Sequence, residues 1–192
     1  MPCPDGSRCM IMDTNLMVFV DHAPNFETDR LLLRPRTMGD YAECLAMDGD
    51  PEVMRYVAGL PASMKEHGII LADRIARAYP PGLGYWSVFP RQSPEQFLGW
   101  VLLVPLHRDD PGSDVEIGWR LVRSAWGHGY APEAAAAVLH HAMHSLGLNR
   151  VIATIHPENK QSFRVAEKIG MMCIGDGDYF GEPCKLYEVK HL

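Results

Sequence analysis

Residues 115–134 read VEIGWRLVRSAWGHGYAPEA and join a strand pattern directly to the start of a helix. Apolar side chains occupy every second position over residues 115–121, which is the period of a strand whose two faces differ. Gly127 and Gly129 then precede Pro132, a residue that favours the first turn of a helix. This order predicts a strand, a tight glycine turn and an α-helix in immediate succession.

The turn before this helix has the features of a diphosphate site. The first turn of a helix leaves several N–H groups without partners and carries a partial positive charge, and glycine lets a bulky anion approach the main chain. Because Pro132 has no N–H group, the donors are expected from the residues before it. These residues are Gly127, His128, Gly129, Tyr130 and Ala131. A glycine turn before a helix is also common without a ligand, so phosphate binding needs support from other segments.

The rest of the chain predicts one α+β domain around a single sheet. Residues 85–89, 97–104 and 115–122 show short strand patterns joined by turns, which favours an antiparallel meander. Strand–helix–strand units follow the meander, so strands and helices are mixed along the chain. We expect this domain to cover residues 25–192 and residues 1–24 to form an N-terminal extension.

Composition is typical of a soluble globular protein. The 192 residues carry a net charge of −6, with 47% hydrophobic and 22% charged residues. A negative chain repels phosphate backbones, and no apolar run approaches the length of a membrane helix, so neither nucleic acid nor membrane is expected as a partner. The five cysteines include no C-x-x-C pair, which favours a reducing, cytoplasmic location.

Four segments, taken in order, resemble the GNAT acetyltransferases and in particular the branch of the ribosomal-protein-alanine N-acetyltransferases. They are residues 27–34 (ETDRLLLR), 50–54 (DPEVM), 116–119 with 126–134 (EIGW and WGHGYAPEA), and 159–162 with 167–171 (NKQS and EKIGM). The resemblance implies a mixed α+β fold with one mostly antiparallel central sheet flanked by helices. It also implies direct transfer of an acetyl group from acetyl-CoA, as co-substrate and without a metal, to a primary amine on a small molecule or a protein N-terminus. A homodimeric state is left open.

The resemblance implies how the cofactor is held. The main-chain amides of residues 127–131 are expected to bind the pyrophosphate, and Leu121 and Val122 to pair with the pantetheine arm as a strand would. Asn159 is expected to hydrogen-bond the pantetheine, although its position also suits a helix N-cap. Ser124 stands where the family often has Gln or Arg, so the phosphate contacts are expected mainly from backbone amides.

Two catalytic groups are expected from the same resemblance. Glu116 lies on the polar face of its strand, close to the cofactor loop, and is the leading candidate for the general base, with a paired or solvated carboxylate as the alternative. Asp176 and Asp178 are weaker candidates for that role. Many family members have a tyrosine seven residues after the asparagine, but this chain has Ala166 there, so Ser162 is expected to face the thiolate.

Several other interpretations are weighed against these. A non-catalytic acyl-CoA-binding regulatory module on the same fold is the main alternative, and CoA release in the presence of amines separates it from an enzyme. Zinc binding by His140 and His144 is rejected because no third ligand is evident. Arg164 is interpreted as a solvated helix residue rather than a phosphate ligand. Three aromatic residues of the meander are interpreted either as acceptor-pocket lining or as core, namely Tyr85, Trp86 and Trp100.

Overall fold

A computed structural model of the protein describes residues 10–13, 16–19, 23–59, 61–106, 113–179 and 181–190. The strands are β1 (Met10–Asp13), β2 (Leu16–Phe19), β3 (Phe26–Glu27), β4 (Leu31–Pro35), β5 (Gly84–Pro90), β6 (Gly99–Pro105), β7 (Val115–Leu121), β8 (Arg150–Ile155), β9 (Met172–Tyr179) and β10 (Glu182–Lys190). The helices are α1 (Tyr41–Asp48), α2 (Pro51–Met54), α3 (Met64–Ala76), α4 (Tyr130–His140) and α5 (Lys160–Lys168). Short 3-10 turns cover Met38–Asp40 and Arg123–Ala125, and α4 continues as a π-helical turn over His141–Ser145.

Strands β3 to β10 form one mixed sheet in the order β3-β4-β5-β6-β7-β8-β10-β9. Neighbouring strands are antiparallel except β7 and β8, which run parallel. Parallel neighbours need a crossover connection, and α4 provides it. The predicted fold, a mostly antiparallel central sheet flanked by helices, is confirmed.

Only part of the predicted N-terminal extension lies among the described residues. There, β1 and β2 pair antiparallel and form a separate two-stranded sheet. Residues 1–9, 14–15 and 20–22 lie outside the described part of the chain. The large sheet begins with β3 at Phe26, close to the residue at which we expect the domain to start.

Helices cover both faces of the large sheet. The face toward α4 and α5 buries Ile117 of β7, whereas the face toward α1 and α3 buries Trp100 and Leu102 of β6. Side chains alternate along a strand, and directly paired residues share a face. Glu116 pairs with Val104 of β6, so it lies on the face covered by α1 and α3. The two faces of β7 therefore contact different helices, which matters for the site described below.

The helix predicted after the glycine turn has two parts in the structure. Regular α-helical geometry begins at Tyr130, directly after Gly129 in the left-handed conformation at φ +79°, and ends at His140. The following π-helical turn holds His141 buried, with its Nε2 3.0 Å from the carbonyl of Gly82. The turn thus joins the end of the helix to the loop before β5.

Strand β9 extends through a segment whose composition does not favour a strand. Residues 175–178 read GDGD, a composition typical of a turn, yet they lie within β9. Gly177 pairs with Cys184 of β10, and a Cβ at Gly177 would come within 2.9 Å of the Leu186 side chain. A side chain at position 177 would therefore displace the Leu186 side chain, because β10 packs closely against this glycine.

Candidate active site

A cleft opens where the two parallel strands separate. β7 and β8 pair at only two positions, Val115 with Val151 and Glu116 with Ile152. Beyond these pairs lies a cleft of about 720 Å³, whose walls are the two strands, the turn before α4 and one side of α5. Residues 52–53 of α2 also line it. Three of the four segments that carry the family resemblance, all except residues 27–34, therefore contribute residues to one cleft.

The glycine turn before α4 forms one wall of this cleft. Gly127 and Gly129 both have φ of +79°, a region that side-chain-bearing residues rarely adopt. These two glycines, with Tyr130 and Ala131, line the cleft as the sequence predicts. His128 is not among the residues that line the cleft, and its ring Nδ1 lies 2.8 Å from the Trp126 carbonyl. The turn therefore presents main chain rather than the imidazole to the cleft.

An ion-pair clamp holds this turn against the start of β4. The Glu133 carboxylate accepts hydrogen bonds from the Thr28 hydroxyl at 2.6 Å and from the Arg30 main-chain N–H at 3.0 Å. Arg30 Nε also donates to Glu133 Oε2 at 2.7 Å, and Arg30 Nη1 donates to the His128 carbonyl at 2.9 Å. Burial alone would raise the pKa of Glu133, but the hydrogen bonds from Thr28 and Arg30 outweigh it and lower that pKa. Thr28 and Arg30 thus fix the turn before α4.

The main chain of β7 presents alternate residues to the cleft. The Val122 N–H donates to the Leu98 carbonyl at 2.9 Å, on the β6 side. Hydrogen-bonded positions alternate along an antiparallel ladder, so Trp119 and Leu121 direct their N–H and C=O groups away from β6 and toward the cleft. The Leu121 carbonyl accepts from the Trp126 indole at 2.9 Å, which leaves its N–H on the cleft side.

The structure corrects the predicted role of Val122. Its N–H is already bonded to Leu98, and its carbonyl accepts from the Ala125 N–H at 2.9 Å. Val122 instead lines a second, shallower pocket beside Met47 of α1. A strand-like contact to a ligand needs a main-chain group that is not used by the sheet, and Trp119 meets that condition where Val122 does not.

Asn159 combines both roles that its sequence position allows. Its side-chain Oδ1 accepts from the Ser162 N–H at 3.1 Å and so caps α5. Both residues also line the cleft. Capping uses only the amide oxygen, so the NH₂ group of Asn159 is left for a ligand.

A basic stripe on α5 faces the same cleft. Lys160, Arg164 and Lys168 are spaced four residues apart, which places them on one side of the helix, and all three line the cleft. Arg164 is exposed, as the sequence interpretation expects, and it also lines the cleft. The i, i+4, i+8 spacing of like charges on α5 is the sequence signal for this basic side.

Glu116 is enclosed at the point where β7 and β8 begin to part. The residue is 8% exposed, and its carboxylate accepts hydrogen bonds from the hydroxyls of Thr154 and Tyr179, the latter at 3.4 Å. Burial raises the pKa of Glu116, and the hydrogen bonds offset this only in part. Thr154 lines the cleft, so a single hydroxyl separates this carboxylate from the cleft interior. A buried carboxylate with a raised pKa is suited to accept a proton.

The other candidate carboxylates have structural partners. Asp176 lies on β9 and pairs with Lys185 Nζ at 2.5 Å, and Asp178 accepts from the Gly181 N–H at 2.9 Å. Asp176 has a side chain that is 77% exposed, which keeps it in a high-dielectric setting. Glu116 is the better base candidate on geometry.

The aromatic residues of the meander divide between core and cleft. Trp86 is fully buried on the α4 side, and its indole donates to the Pro24 carbonyl at 2.6 Å. Trp100 lines the cleft, with Tyr85 packed edge-on against it at 5.3 Å between ring centroids. Trp100 is thus shared between core and cleft, whereas Tyr85 and Trp86 belong to the core.

Two further features of the described residues bear on function. His140 and His144 stack at 4.1 Å between ring centroids, and the described part of the chain contains no group of three or more His, Cys, Asp or Glu side chains able to hold a metal ion. Within the same residues, no helix has both the length and the apolar character needed to cross a membrane.

Comparison with known proteins gives consistent results. Residues 30–172 match the family model described as an acetyltransferase (GNAT) domain. The chain is 34% identical to the uncharacterized protein YkkB of Bacillus subtilis over 165 residues, covering 85% of this chain and 94% of that protein. It is 30% identical to the FsC-acetyl coenzyme A-N(2)-transacetylase of Aspergillus fumigatus over 155 residues, covering 77% of this chain and 65% of that protein. A crystal structure of an acetyltransferase from Agrobacterium tumefaciens superposes with a TM-score of 0.74 at 25% identity, covering 94% of this chain and 100% of that one.

Proposed function

The chain belongs to the GNAT family of acetyltransferases, and on this premise we propose that it moves an acetyl group from acetyl-CoA directly to a primary amine. The observation that carries the proposal is the cleft at the separation of β7 and β8. This cleft joins an anion-binding turn, an edge of free main-chain groups and a buried carboxylate. Each of the three corresponds to one part of the proposed reaction.

The residues on two walls of the cleft fit the phosphates of acetyl-CoA. At Gly127 an added Cβ would meet no described atom within 4 Å, so the turn has room for a bulky anion. We assign the pyrophosphate to the amides of Gly127, Gly129, Tyr130 and Ala131. Lys160, Arg164 and Lys168 on the opposite wall would bind the remaining phosphate, since none of the three has a carboxylate partner among the described residues.

The pantetheine arm would lie along the open edge of β7. Trp119 and Leu121 direct main-chain groups to this edge, and the arm carries amides that can pair with them as a strand would. The free NH₂ group of Asn159 on the opposite wall would donate to an amide oxygen of the arm. These contacts bring the thioester end toward Glu116, where the strands meet.

Glu116 and Ser162 supply the proton transfers in this proposal. An acceptor amine must lose a proton before it attacks, and Glu116 takes that proton, directly or through the Thr154 hydroxyl. The C–N bond forms and the C–S bond breaks, the nitrogen gives up a further proton, and a proton ends on the CoA sulfur. The Ser162 hydroxyl donates a hydrogen bond to this departing sulfur. Holding the two substrates in one cleft provides much of the remaining acceleration.

A primary amine is the acceptor that the relatives support best. The name of the Aspergillus fumigatus relative denotes transfer between acetyl coenzyme A and an N(2) position. A buried carboxylate of raised pKa is also matched to an amine, which reaches the site protonated and needs a base. The acceptor is a small molecule or a protein N-terminus.

The proposal is tested by release of CoA thiol from acetyl-CoA on addition of a panel of amines, with binding of CoA measured on the same sample. An acetyltransferase binds CoA and releases thiol only when an amine is present. A non-catalytic acyl-CoA-binding module would bind CoA and release no thiol with any amine. That second outcome would refute the proposed activity while leaving the cofactor site in place.

A further inference from the structure

The Glu116 carboxylate is held by two hydroxyl groups. Its Oε1 accepts a hydrogen bond from the Thr154 hydroxyl of β8, and its Oε2 accepts one from the Tyr179 hydroxyl of β9 at 3.4 Å. No lysine, arginine or histidine among the described residues lies within 4 Å of this carboxylate. A buried carboxylate with no cation beside it keeps its charge only through hydrogen-bond donors. The ionised form of Glu116 therefore depends on these donors.

Tyr179 reaches Glu116 from a distant strand. In the sheet, β8 and β10 lie between β7, which carries Glu116, and β9, which ends at Tyr179. Neighbouring strands are about 4.8 Å apart, so a flat sheet would separate β7 from β9 by about 14 Å, farther than a tyrosine side chain reaches. The observed contact therefore requires the end of the β9–β10 hairpin to bend over the face of the sheet that carries Glu116.

The chemistry of Tyr179 suits a hydrogen-bond donor. Burial raises the pKa of Tyr179 above its ordinary range, and the charge of Glu116 and the nearby Tyr85 raise it further, so the hydroxyl keeps its proton at physiological pH. A neutral donor stabilises a carboxylate more than a carboxylic acid. The bond from Tyr179, like the bonds from Thr154, therefore lowers the pKa of Glu116 and opposes the effect of burial.

Two further titratable groups of β10 lie on the same face of the sheet. Cys184 and Glu188 share this face because Leu186, which lies between them, pairs with Thr154. Burial, followed by nearby carboxylates, raises the pKa of the Cys184 thiol, which favours its neutral form. Glu188 is held in ion pairs away from the cleft. Neither residue donates a hydrogen bond to Glu116 among the contacts of the described chain.

Charged groups also approach from the side of α1 and α3. Arg74 of α3 and Tyr85 of β5 act on the pKa of Tyr179 with opposite signs. The buried Asp48 of α1 is paired with a cation of β7 and a histidine of α3. Exposed carboxylates on this side and at the start of β10 include Glu43, Glu66 and Glu182. A substitution of the tyrosine at position 179 leaves all these groups in place, so a change in the ionisation of Glu116 would be due to the lost hydroxyl.

We propose that Tyr179 is a positioning residue for the base, whose hydroxyl keeps the Glu116 carboxylate ionised and so ready to take a proton from the acceptor amine. This inference rests on the proposed acetyl transfer. Tyr179 exchanges no proton with the substrates, because its raised pKa keeps the phenol protonated. The end of the β9–β10 hairpin thereby contributes to a step that takes place between β7 and β8.

The pH profile of Tyr179→Phe tests the inference, because this change removes the hydroxyl and keeps the ring. We expect the midpoint of the acid limb of kcat to rise by about 0.5 pH unit or more, since a carboxylate that loses a hydrogen bond is less stable. On that limb kcat falls about threefold or more, and at high pH it returns to about the parent's value. The same amine is used for both proteins, so its own ionisation affects them alike. An unchanged midpoint, or a loss of kcat that is equal at every pH, would overturn the inference.

Tyr187→Phe is the matched control. Tyr187 is a buried tyrosine of β10 on the opposite face of the sheet, where its ring stacks with Phe163 at 5.6 Å between centroids. Its removal of a hydroxyl is expected to leave the pH profile of the parent unchanged. If Tyr187→Phe moves the midpoint as far as Tyr179→Phe does, the effect does not come from the hydrogen bond to Glu116 and the inference fails.

A titration without substrates separates this inference from the proposed reaction. The carboxyl carbon resonance of Glu116 is followed by NMR against pH in isotope-labelled parent and Tyr179→Phe protein, and the spectrum of Glu116→Gln identifies the signal. If no amine releases CoA thiol, the proposed reaction fails, and the titration still decides the role of Tyr179. A higher pKa of Glu116 in Tyr179→Phe supports that role, and an equal or lower pKa contradicts it.

Discussion

At the scale of single residues, the site depends on a few groups held in unusual surroundings. Glu116 is a carboxyl group enclosed between two diverging strands, and the proposed chemistry uses the raised pKa that this enclosure causes. Gly127 holds a left-handed conformation beside open space, which makes its main chain accessible to an anion. Both features depend on single residues, so single-residue substitutions can test them.

Replacing Glu116 with Gln removes the proposed base while keeping the size of the side chain. We expect kcat at neutral pH to fall about 10²-fold or more, the usual contribution of a general base. We also expect the variant to lose the rise in rate with pH that accompanies ionisation of this group. Steady-state rates measured as a function of pH check both points, and a full rate at neutral pH would remove Glu116 from the mechanism.

The stability of the Glu116→Gln variant separates chemistry from folding. Because burial raises the folded-state pKa of Glu116 above its unfolded value, the folded protein loses stability as pH rises from the unfolded pKa to the folded one. The variant lacks this loss, so we expect its free energy of unfolding at neutral pH to equal or exceed that of the parent. Glu188→Gln is the matched control, since Glu188 is also buried but pairs with Arg150 and Lys190 away from the cleft. It should keep its kcat.

Gly127→Ala tests the phosphate turn against an equivalent glycine elsewhere. Gly127 and Gly147 both have positive φ, of 79° and 64°, and an added Cβ at either would meet no described atom within 4 Å. Alanine should therefore cost about 1 kcal/mol of stability at each position through backbone strain alone. Only Gly127→Ala is expected to raise the KM for acetyl-CoA. Equal KM effects from both variants would contradict the proposed phosphate site.

At the scale of elements, the start of β4 and the start of α4 act as one unit. The clamp of Thr28, Arg30 and Glu133 links residues about a hundred positions apart in sequence and fixes the turn that precedes α4. The sequence indicates that residues 27–34 and 126–134 both belong to the family pattern, but it does not show that the two segments are in contact. The contact depends on the order of strands in the sheet, which is a property of the whole fold.

Glu133→Gln tests this clamp. Hydrogen bonds lower the folded-state pKa of Glu133, so the clamp contributes stability above the unfolded pKa and loses it as pH falls through the lower, folded value. At neutral pH we expect the variant to be less stable and to have a higher KM for acetyl-CoA with a similar kcat. The exposed Glu95→Gln is the control and should leave both quantities unchanged. A thermal melt and a titration of initial rates with acetyl-CoA make the measurement.

The elements that the sequence predicts well are those with a strong local pattern. The alternation in β7 and the glycine turn before α4 appear in the structure close to where the pattern places them. The extent of β9 could not be predicted, because residues 175–178 have a turn composition and extend only through pairing with β10. Val122 was wrongly predicted to offer its main chain to a ligand. Every second residue of β7 hydrogen-bonds to the β6 side, and only the pairing in the sheet shows that Val122 is one of them.

At the scale of the whole molecule, the fold decides where charge meets the cleft. Three basic residues of α5 line one wall, namely Lys160, Arg164 and Lys168. The buried carboxylate of Glu116 lies where β7 and β8 begin to part. This arrangement does not follow from the net charge of −6, because a ligand responds to the charges that lie near the site.

The central claim is that the cleft between β7 and β8 transfers acetyl groups from acetyl-CoA to an amine. The most direct test mixes the protein with acetyl-CoA and each amine of the panel, then quantifies free CoA thiol and acetylated amine by mass spectrometry. The account predicts that both products form in equal amounts and that Glu116→Gln suppresses both. The account is contradicted if the protein binds CoA but forms no free thiol with any amine of the panel. It is also contradicted if thiol forms without any acetylated amine.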